Sequence, residues 1–129
     1  MMQQNSDEYA KNTYLCVADA IQRVCDEELA HEMLIMLHAS IHNDWSEFED
    51  FFKTHQYTSA ANILHGMKGT IPIFSDKKTE EMMHKTEALL RVVASESDLK
   101  SAIEDLCFQM KGFMSELDLW VKKQQKIAI

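Results

Sequence analysis

The most constraining feature of this chain is a regular stripe of large apolar residues near its C-terminus. The stripe recurs at alternating spacings of four and three and comprises Leu99, Ile103, Leu106, Met110, Phe113, Leu117 and Trp120. A mean spacing of about 3.5 residues places all of these side chains along one side of an α-helix. A stripe of this length must be covered by other helices, so we expect several helices packed side by side.

Residues that end helices are scarce in the rest of the chain. The 129 residues include 3 Gly and 1 Pro, and the stretch from Glu27 to Lys53 contains neither of them. Strand ends and hairpin turns depend on these residues, so the composition favours helices throughout. We therefore predict an all-α fold, namely an up-and-down antiparallel four-helix bundle with an additional short N-terminal helix.

Apolar spacing and capping residues predict where the helices begin and end. A short first helix is expected to start at an N-cap formed by Asn12 or Thr13 and to include Tyr14 in its apolar face. The four long helices are predicted over 27–53, over 57–74, from Ser75 or Asp76 to about residue 94, and from an N-cap at Ser97 onwards. Residues 1–11 are interpreted as a polar arm, and residues 12–129 as one domain.

Charge and cysteine content narrow the expected partners and location. The chain has 13 basic and 21 acidic side chains and a net charge of −8, which repels phosphate backbones and anionic lipid. We therefore expect neither nucleic acid nor a membrane as a partner. Cys16, Cys25 and Cys107 are odd in number and widely spaced, as is typical of reduced thiols. Because no signal peptide or membrane span is apparent either, we expect a cytoplasmic location. We also expect the protein to be a monomer.

His65 lies on the side of the predicted third helix that faces away from its apolar residues. On a helical wheel of about 100° per residue, the positions around His65 are mostly small, and they are Thr58, Ala61, Lys68, Gly69 and Pro72. A neutral imidazole is a good nucleophile near pH 7, and the Lys68 ammonium could neutralise charge on phosphoryl oxygens. Gly69 inside a helix costs about 1 kcal/mol relative to Ala, and close approach of another protein would explain that cost. His65 is thus a candidate phosphoryl acceptor.

The segment "LHGMKGT" resembles the histidine, lysine and glycine motif of histidine-containing phosphotransfer (HPt) domains, which relay phosphoryl groups in multistep signalling. The resemblance implies that His65 is the phosphoacceptor, that Lys68 faces the phosphate and that Gly69 is a small landing residue. It extends to "DAIQRVCDEEL" near the first helix and to "TEALL" around Glu87, and the family fold is a four-helix bundle. Pro72 departs from the family pattern, and we expect it to kink the helix one turn beyond the site.

The resemblance also implies a set of partners. The phosphoryl group would come from the phospho-aspartate of a response-regulator receiver domain and would pass to another receiver. A hybrid sensor histidine kinase is a further candidate partner. Mg²⁺ would belong to the receiver, so we expect no intrinsic cofactor and no ATP-dependent kinase activity. The receiver is expected to dock on a face that comprises Thr58, Ala61, Gly69, Pro72 and Ile73 around His65 and Lys68.

Two alternatives remain open at the level of sequence. In the first, the chain is a non-phosphorylated adaptor, a pseudo-HPt domain that docks receiver or kinase domains without accepting a phosphoryl group. In the second, it is a metal-binding helical protein built around His31, His38 and His42. His38 and His42 are four residues apart, a spacing at which two imidazoles on one helix can bind the same ion.

Overall fold

The computed structural model describes residues 14–128, with side chains through residue 125, and the described chain is helical. The predicted polar arm at 1–11 lies outside the described residues. Six helices follow one another: α1 (Val17–Val24), α2 (Glu27–Lys53), α3 (Tyr57–Met67), α4 (Ile71–Phe74), α5 (Lys77–Arg91) and α6 (Glu96–Ala128). Over residues 14–128 there is no β-strand, only an isolated bridge between Leu15 and Ser75. The predicted all-α class is therefore confirmed.

The four longer helices surround one apolar core. Helix α2 packs against α3 and α6, and α5 packs against the same two helices. The short helices α1 and α4 contact each other, while α1 also contacts α2 and α4 also contacts α5. The core contains Phe48 from α2, Leu64 from α3, Leu90 from α5 and Phe113 from α6. No helix in the described part of the chain is both long and apolar enough to cross a bilayer.

The apolar stripe of α6 is buried as its spacing predicts. Leu99, Leu106, Phe113 and Leu117 are almost fully buried, and Ile103 packs partly buried against the same core. The N-cap of α6 differs from the prediction. The helix begins at Glu96, and the Ser95 hydroxyl accepts the Asp98 backbone N–H at 3.2 Å, so Ser95 and not Ser97 is the capping residue.

The predicted third helix over 57–74 is in fact two helices. Helix α3 ends at Met67, residues 68–70 form a turn, and α4 begins at Ile71. In the turn, the Gly69 N–H donates to the Gly66 carbonyl at 3.1 Å, which tightens the end of α3. Pro72 has no N–H to donate to the carbonyl four residues back, but early in α4 that loss is tolerated. Pro72 therefore starts a new helix instead of kinking a continuous one.

The first helix also differs from its prediction. Helix α1 begins at Val17 with Cys16 at the N-cap position, so Tyr14 precedes it, and Asn12 and Thr13 lie outside the described residues. The backbone of residues 14–16 bonds to the end of α4, where the Cys16 N–H donates to the Phe74 carbonyl at 2.7 Å. The Glu116 carboxylate of α6 accepts the Tyr14 and Leu15 N–H groups at 2.9 Å each. Partners distant in sequence thus hold this segment outside the helix.

Helix α5 begins as predicted and ends earlier. The Asp76 carboxylate caps it by accepting the Thr79 N–H at 2.9 Å, which confirms one of the two predicted capping residues. The helix ends at Arg91, not near residue 94, because Val93 adopts a left-handed conformation with φ of 48°. The Ala94 N–H then donates to the Leu89 carbonyl at 3.1 Å, a bond typical of a Schellman helix end.

Candidate functional site: a histidine bound to a buried carboxylate

His65 lies in the last turn of α3 with 69% of its side-chain surface exposed. Its Nδ1 lies 3.1 Å from Oε2 of Glu87 on the neighbouring helix α5. A carboxylate can only accept hydrogen bonds, so in the neutral ring Nδ1 carries the proton and donates it to Glu87. The lone pair of the imidazole is consequently on Nε2, the nitrogen available to an external electrophile.

Glu87 is the centre of the site, because three side chains donate to its carboxylate. The Lys68 Nζ donates at 2.7 Å and the Arg91 Nε at 2.9 Å, in addition to His65. The residue is 7% exposed. Burial on its own favours the protonated acid, but the hydrogen bonds from Lys68 and Arg91 outweigh it and lower the pKa of Glu87 to about 2. The carboxylate is therefore ionised at neutral pH.

The Lys68 ammonium is held inside the site. Lys68 follows the last residue of α3, and its side chain is 17% exposed, far less than that of His65. The turn at residues 68–70 carries the lysine toward α5, where the Glu87 carboxylate accepts a hydrogen bond from its ammonium. His65 and Lys68 thus share one carboxylate, and the spacing predicted from sequence brings both to the same site.

Arg91 and Asn62 complete the hydrogen-bond network. The guanidinium of Arg91 donates to the Asn62 side-chain oxygen of α3 at 3.2 and 3.3 Å. Sequence analysis missed both residues, although the spacing of four between Glu87 and Arg91 is a signal of a helical ion pair. With a neutral imidazole, two cations and one carboxylate leave a surplus positive charge, which attracts an anionic group such as a phosphoryl.

The predicted docking face is only partly exposed. Thr58 and Gly69 are exposed, whereas Pro72 and Ile73 are half-buried. Ala61 is fully buried, so its predicted place on the exposed face is wrong. The reason is that α3 packs against both α2 and α5, so the side of the helix that carries Ala61 is covered. The premise for Gly69 is also wrong, because this glycine lies in the turn after α3 and not inside a helix.

Two features shape the surface beside His65. Gly66 is exposed, and a Cβ added there would meet no atom within 4 Å, so the ring has open space next to it. On the other side of Lys68, the Arg23 guanidinium of α1 donates to the carbonyls of Pro72 and Ile73 at 2.8 and 2.9 Å. Arg23 thereby fastens α4, the helix that follows the turn at residues 68–70, to α1.

The histidines predicted as a metal-binding set are not all brought together. His38 and His42 of α2 face Asp118 of α6, whereas His31 packs edge-on against Trp120 with ring centroids 5.1 Å apart. The prediction that His31, His38 and His42 form one set is therefore wrong for His31, which does not lie beside the other two. His31 is separated because it lies seven residues before His38, about 10 Å along the helix axis.

Comparison of the chain with protein-family models, with curated proteins and with solved structures finds no match.

Proposed function

We propose that this chain is a phosphorelay protein of the HPt type, which accepts a phosphoryl group on Nε2 of His65 from a receiver-domain phospho-aspartate. It then passes the group to a second receiver. The observation that carries the proposal is the exposed imidazole whose Nδ1 is engaged by a buried, ionised Glu87. An isolated surface histidine would need no such partner.

The transfer step follows from this geometry. The Nε2 lone pair attacks phosphorus, a P–N bond forms, the acyl P–O bond breaks, and the receiver's aspartate leaves as a carboxylate. The ring keeps its Nδ1 proton and becomes a phospho-imidazolium. Glu87 accepts a hydrogen bond from that proton and stabilises the positive charge as it develops. Transfer to the next receiver reverses these steps and restores the neutral ring.

Lys68 and Arg91 offset the charge of the incoming phosphoryl group. Each donates to Glu87, and their combined charge exceeds that of the carboxylate by one. In phosphoryl transfer the protein acts mainly by positioning and charge stabilisation, so this surplus is the contribution expected of the acceptor domain. Mg²⁺ would remain on the receiver, and we propose no intrinsic cofactor and no ATP-dependent activity.

The arrangement of the helices and the docking face complete the proposed function. We propose that α2, α3, α5 and α6 form an up-and-down antiparallel bundle with α1 across one end, in a cytoplasmic monomer. Free thiols at all three cysteines support a reducing compartment. The receiver would dock on Thr58, Gly66, Gly69, Pro72 and Ile73 around His65, whereas Ala61 is buried and makes no contact.

Label transfer tests the proposal. The chain is incubated with a radiolabelled phospho-receiver and Mg²⁺ and compared with His65→Gln and with His84→Gln, which alters an exposed histidine of α5. We expect acid-labile, base-stable label on the wild type and on His84→Gln, and none on His65→Gln. Label that persists on His65→Gln would overturn the assignment of the acceptor.

A second candidate, a docking adaptor that is not phosphorylated, is supported by the state of Lys68. Its ammonium is bound to Glu87 at 2.7 Å and is largely buried, so it is already neutralised before any phosphoryl group arrives. This adaptor would bind receivers without taking label, and its affinity for them would be the same in wild type and in His65→Gln. Titration calorimetry with the same receivers measures that affinity.

A further inference from the structure

A second histidine cluster lies on a different pair of helices. His38 and His42 are one turn apart on α2, and their Nε2 atoms lie 2.9 and 3.0 Å from the same atom, Oδ1 of Asp118 on α6. The two rings are perpendicular, with centroids 6.2 Å apart. Three possible ligand atoms from two helices therefore converge on one point, and all of them lie within 4.8 Å of one another.

The donor set selects a class of metal ion. Two imidazole nitrogens and one carboxylate oxygen suit zinc and neighbouring divalent transition metals, whereas Mg²⁺ and Ca²⁺ require sites built from oxygen atoms. Ligand distances of about 2.0–2.2 Å in a tetrahedral site place neighbouring donors roughly 3.3 Å apart. The two nitrogen–oxygen spacings, 2.9 and 3.0 Å, are within a few tenths of an ångström of that value, and the two nitrogens lie no more than 4.8 Å apart. Small side-chain rotations on fixed helices would therefore admit the ion.

Access to the cluster is open. The side chain of His42 is 54% exposed, and those of His38 and Asp118 are 33% and 37% exposed. An ion can reach the three donors from solvent, and a fourth position remains on the exposed side for water. The backbone positions are rigid, because both histidines lie in the middle of the 27-residue helix α2.

We propose that His38, His42 and Asp118 bind one divalent transition-metal ion of the zinc class, which joins α2 to α6 and retains a position for water. The site is separate from the proposed phosphotransfer site, which is built from α3, α5 and the turn at residues 68–70. Metal binding and phosphoryl acceptance by His65 can therefore succeed or fail independently.

Titration calorimetry with Zn²⁺ on protein purified without a histidine tag tests the site. We expect saturable binding of one ion per chain, and at least about tenfold weaker binding in His42→Ala and Asp118→Asn, since each loses one of three ligands. His84→Ala should bind as the wild type does. Circular dichroism of His42→Ala should show an unchanged helix content, because the side chain is largely exposed.

Cobalt supplies a spectroscopic version of the same test. Co²⁺ bound to the wild type should give the intense visible bands of a tetrahedral site, and Zn²⁺ should displace it. The proposal is overturned if the wild type gives no saturable zinc binding, or if His42→Ala and Asp118→Asn bind zinc as tightly as the wild type.

Discussion

The molecule contains two clusters in which histidine meets a carboxylate, and they differ in what else contacts the carboxylate. In the first, Lys68 and Arg91 join His65 at Glu87, so the cluster carries surplus positive charge. In the second, His38 and His42 share Asp118, so the cluster is negative while both rings are neutral. The first is suited to an anion such as a phosphoryl group, and the second to a metal cation.

The comparison also supports His65 as the proposed nucleophile, because its ring is more exposed than those of His38 and His42. Glu87 contacts Nδ1 of His65, which leaves Nε2 available on a ring that is 69% exposed. His38 and His42 direct their Nε2 atoms at Asp118, and the half-buried His38 has less surface to offer a partner. A histidine–carboxylate contact therefore specifies no function until the remaining contacts of both groups are known.

Among the residues that surround His65, removing Lys68 should have the largest effect on phosphoryl transfer. We expect Lys68→Ala to slow phosphoryl transfer about 100-fold, a loss typical of removing one charge-stabilising donor. Helix content should be retained, because the side chain contacts the site and not the core. Rapid-quench transfer assays measure the rate, and Lys85→Ala, at an exposed lysine of α5, is the matched control. Equal rates in wild type and Lys68→Ala would remove Lys68 from the mechanism.

Neutralising the buried carboxylate should destabilise the fold. Glu87→Gln leaves Lys68 without its closest partner and removes a charged acceptor of three hydrogen bonds, so we expect a loss of about 2 kcal/mol in the free energy of unfolding. Urea denaturation measures this change. Glu81→Gln, at an exposed glutamate on the same helix, should lie within about 0.5 kcal/mol of wild type. A change at Glu87 as small as that at Glu81 would contradict the account of the network.

The same carboxylate predicts a pH dependence. Its pKa falls from the ordinary value of 4.5 to about 2 in the folded protein. A lowered folded pKa contributes stability that is present above the unfolded pKa and is lost as pH falls toward the folded one. The stability difference between wild type and Glu87→Gln should therefore shrink between pH 4.5 and pH 2. A difference that stays constant over that range would show that Glu87 titrates normally.

Arg91, the more exposed of the two cations, should contribute least to the free energy of unfolding. The Arg91 side chain is 42% exposed. When its ion pair with Glu87 is broken, water can therefore replace much of the hydrogen bonding that the guanidinium loses. We expect Arg91→Ala to lower the free energy of unfolding by about 0.5–1 kcal/mol, less than Glu87→Gln. Urea denaturation in low and high salt checks this value, since screening should reduce it. A loss larger than that of Glu87→Gln would reverse the ranking of the two residues.

Local sequence pattern accounts for the helices and for part of the positive cluster. The stripe of α6 is buried as its spacing predicts. The spacing of three brings His65 and Lys68 to one carboxylate, but Lys68 lies in the turn after α3 and is largely buried, not on an exposed helix face as predicted. The turn after Met67 was harder to predict, because Pro72 can either kink a helix or begin one. Which occurs depends on contacts from elsewhere, including the bond from Arg23 to the Pro72 carbonyl.

The contacts that the sequence did not predict, those of Asp118 with His38 and of Glu87 with His65, share a physical reason. Asp118 meets His38 across 80 positions of sequence, and Glu87 meets His65 across 22. Neither pairing follows from spacing on one helix, because each depends on which helices become neighbours and on their relative rotation. The burial of Ala61 has the same origin, since a helical wheel does not show that α3 is covered on two sides.

The central claim is that Glu87 holds the Nδ1 proton of His65 and leaves Nε2 to accept the phosphoryl group. The most direct measurement is nitrogen and phosphorus NMR of chain labelled with ¹⁵N at histidine and phosphorylated by a receiver. The account predicts a phosphorus coupling to Nε2 of His65 and a protonated Nδ1. Phosphorus on Nδ1, or on a histidine other than His65, would contradict it.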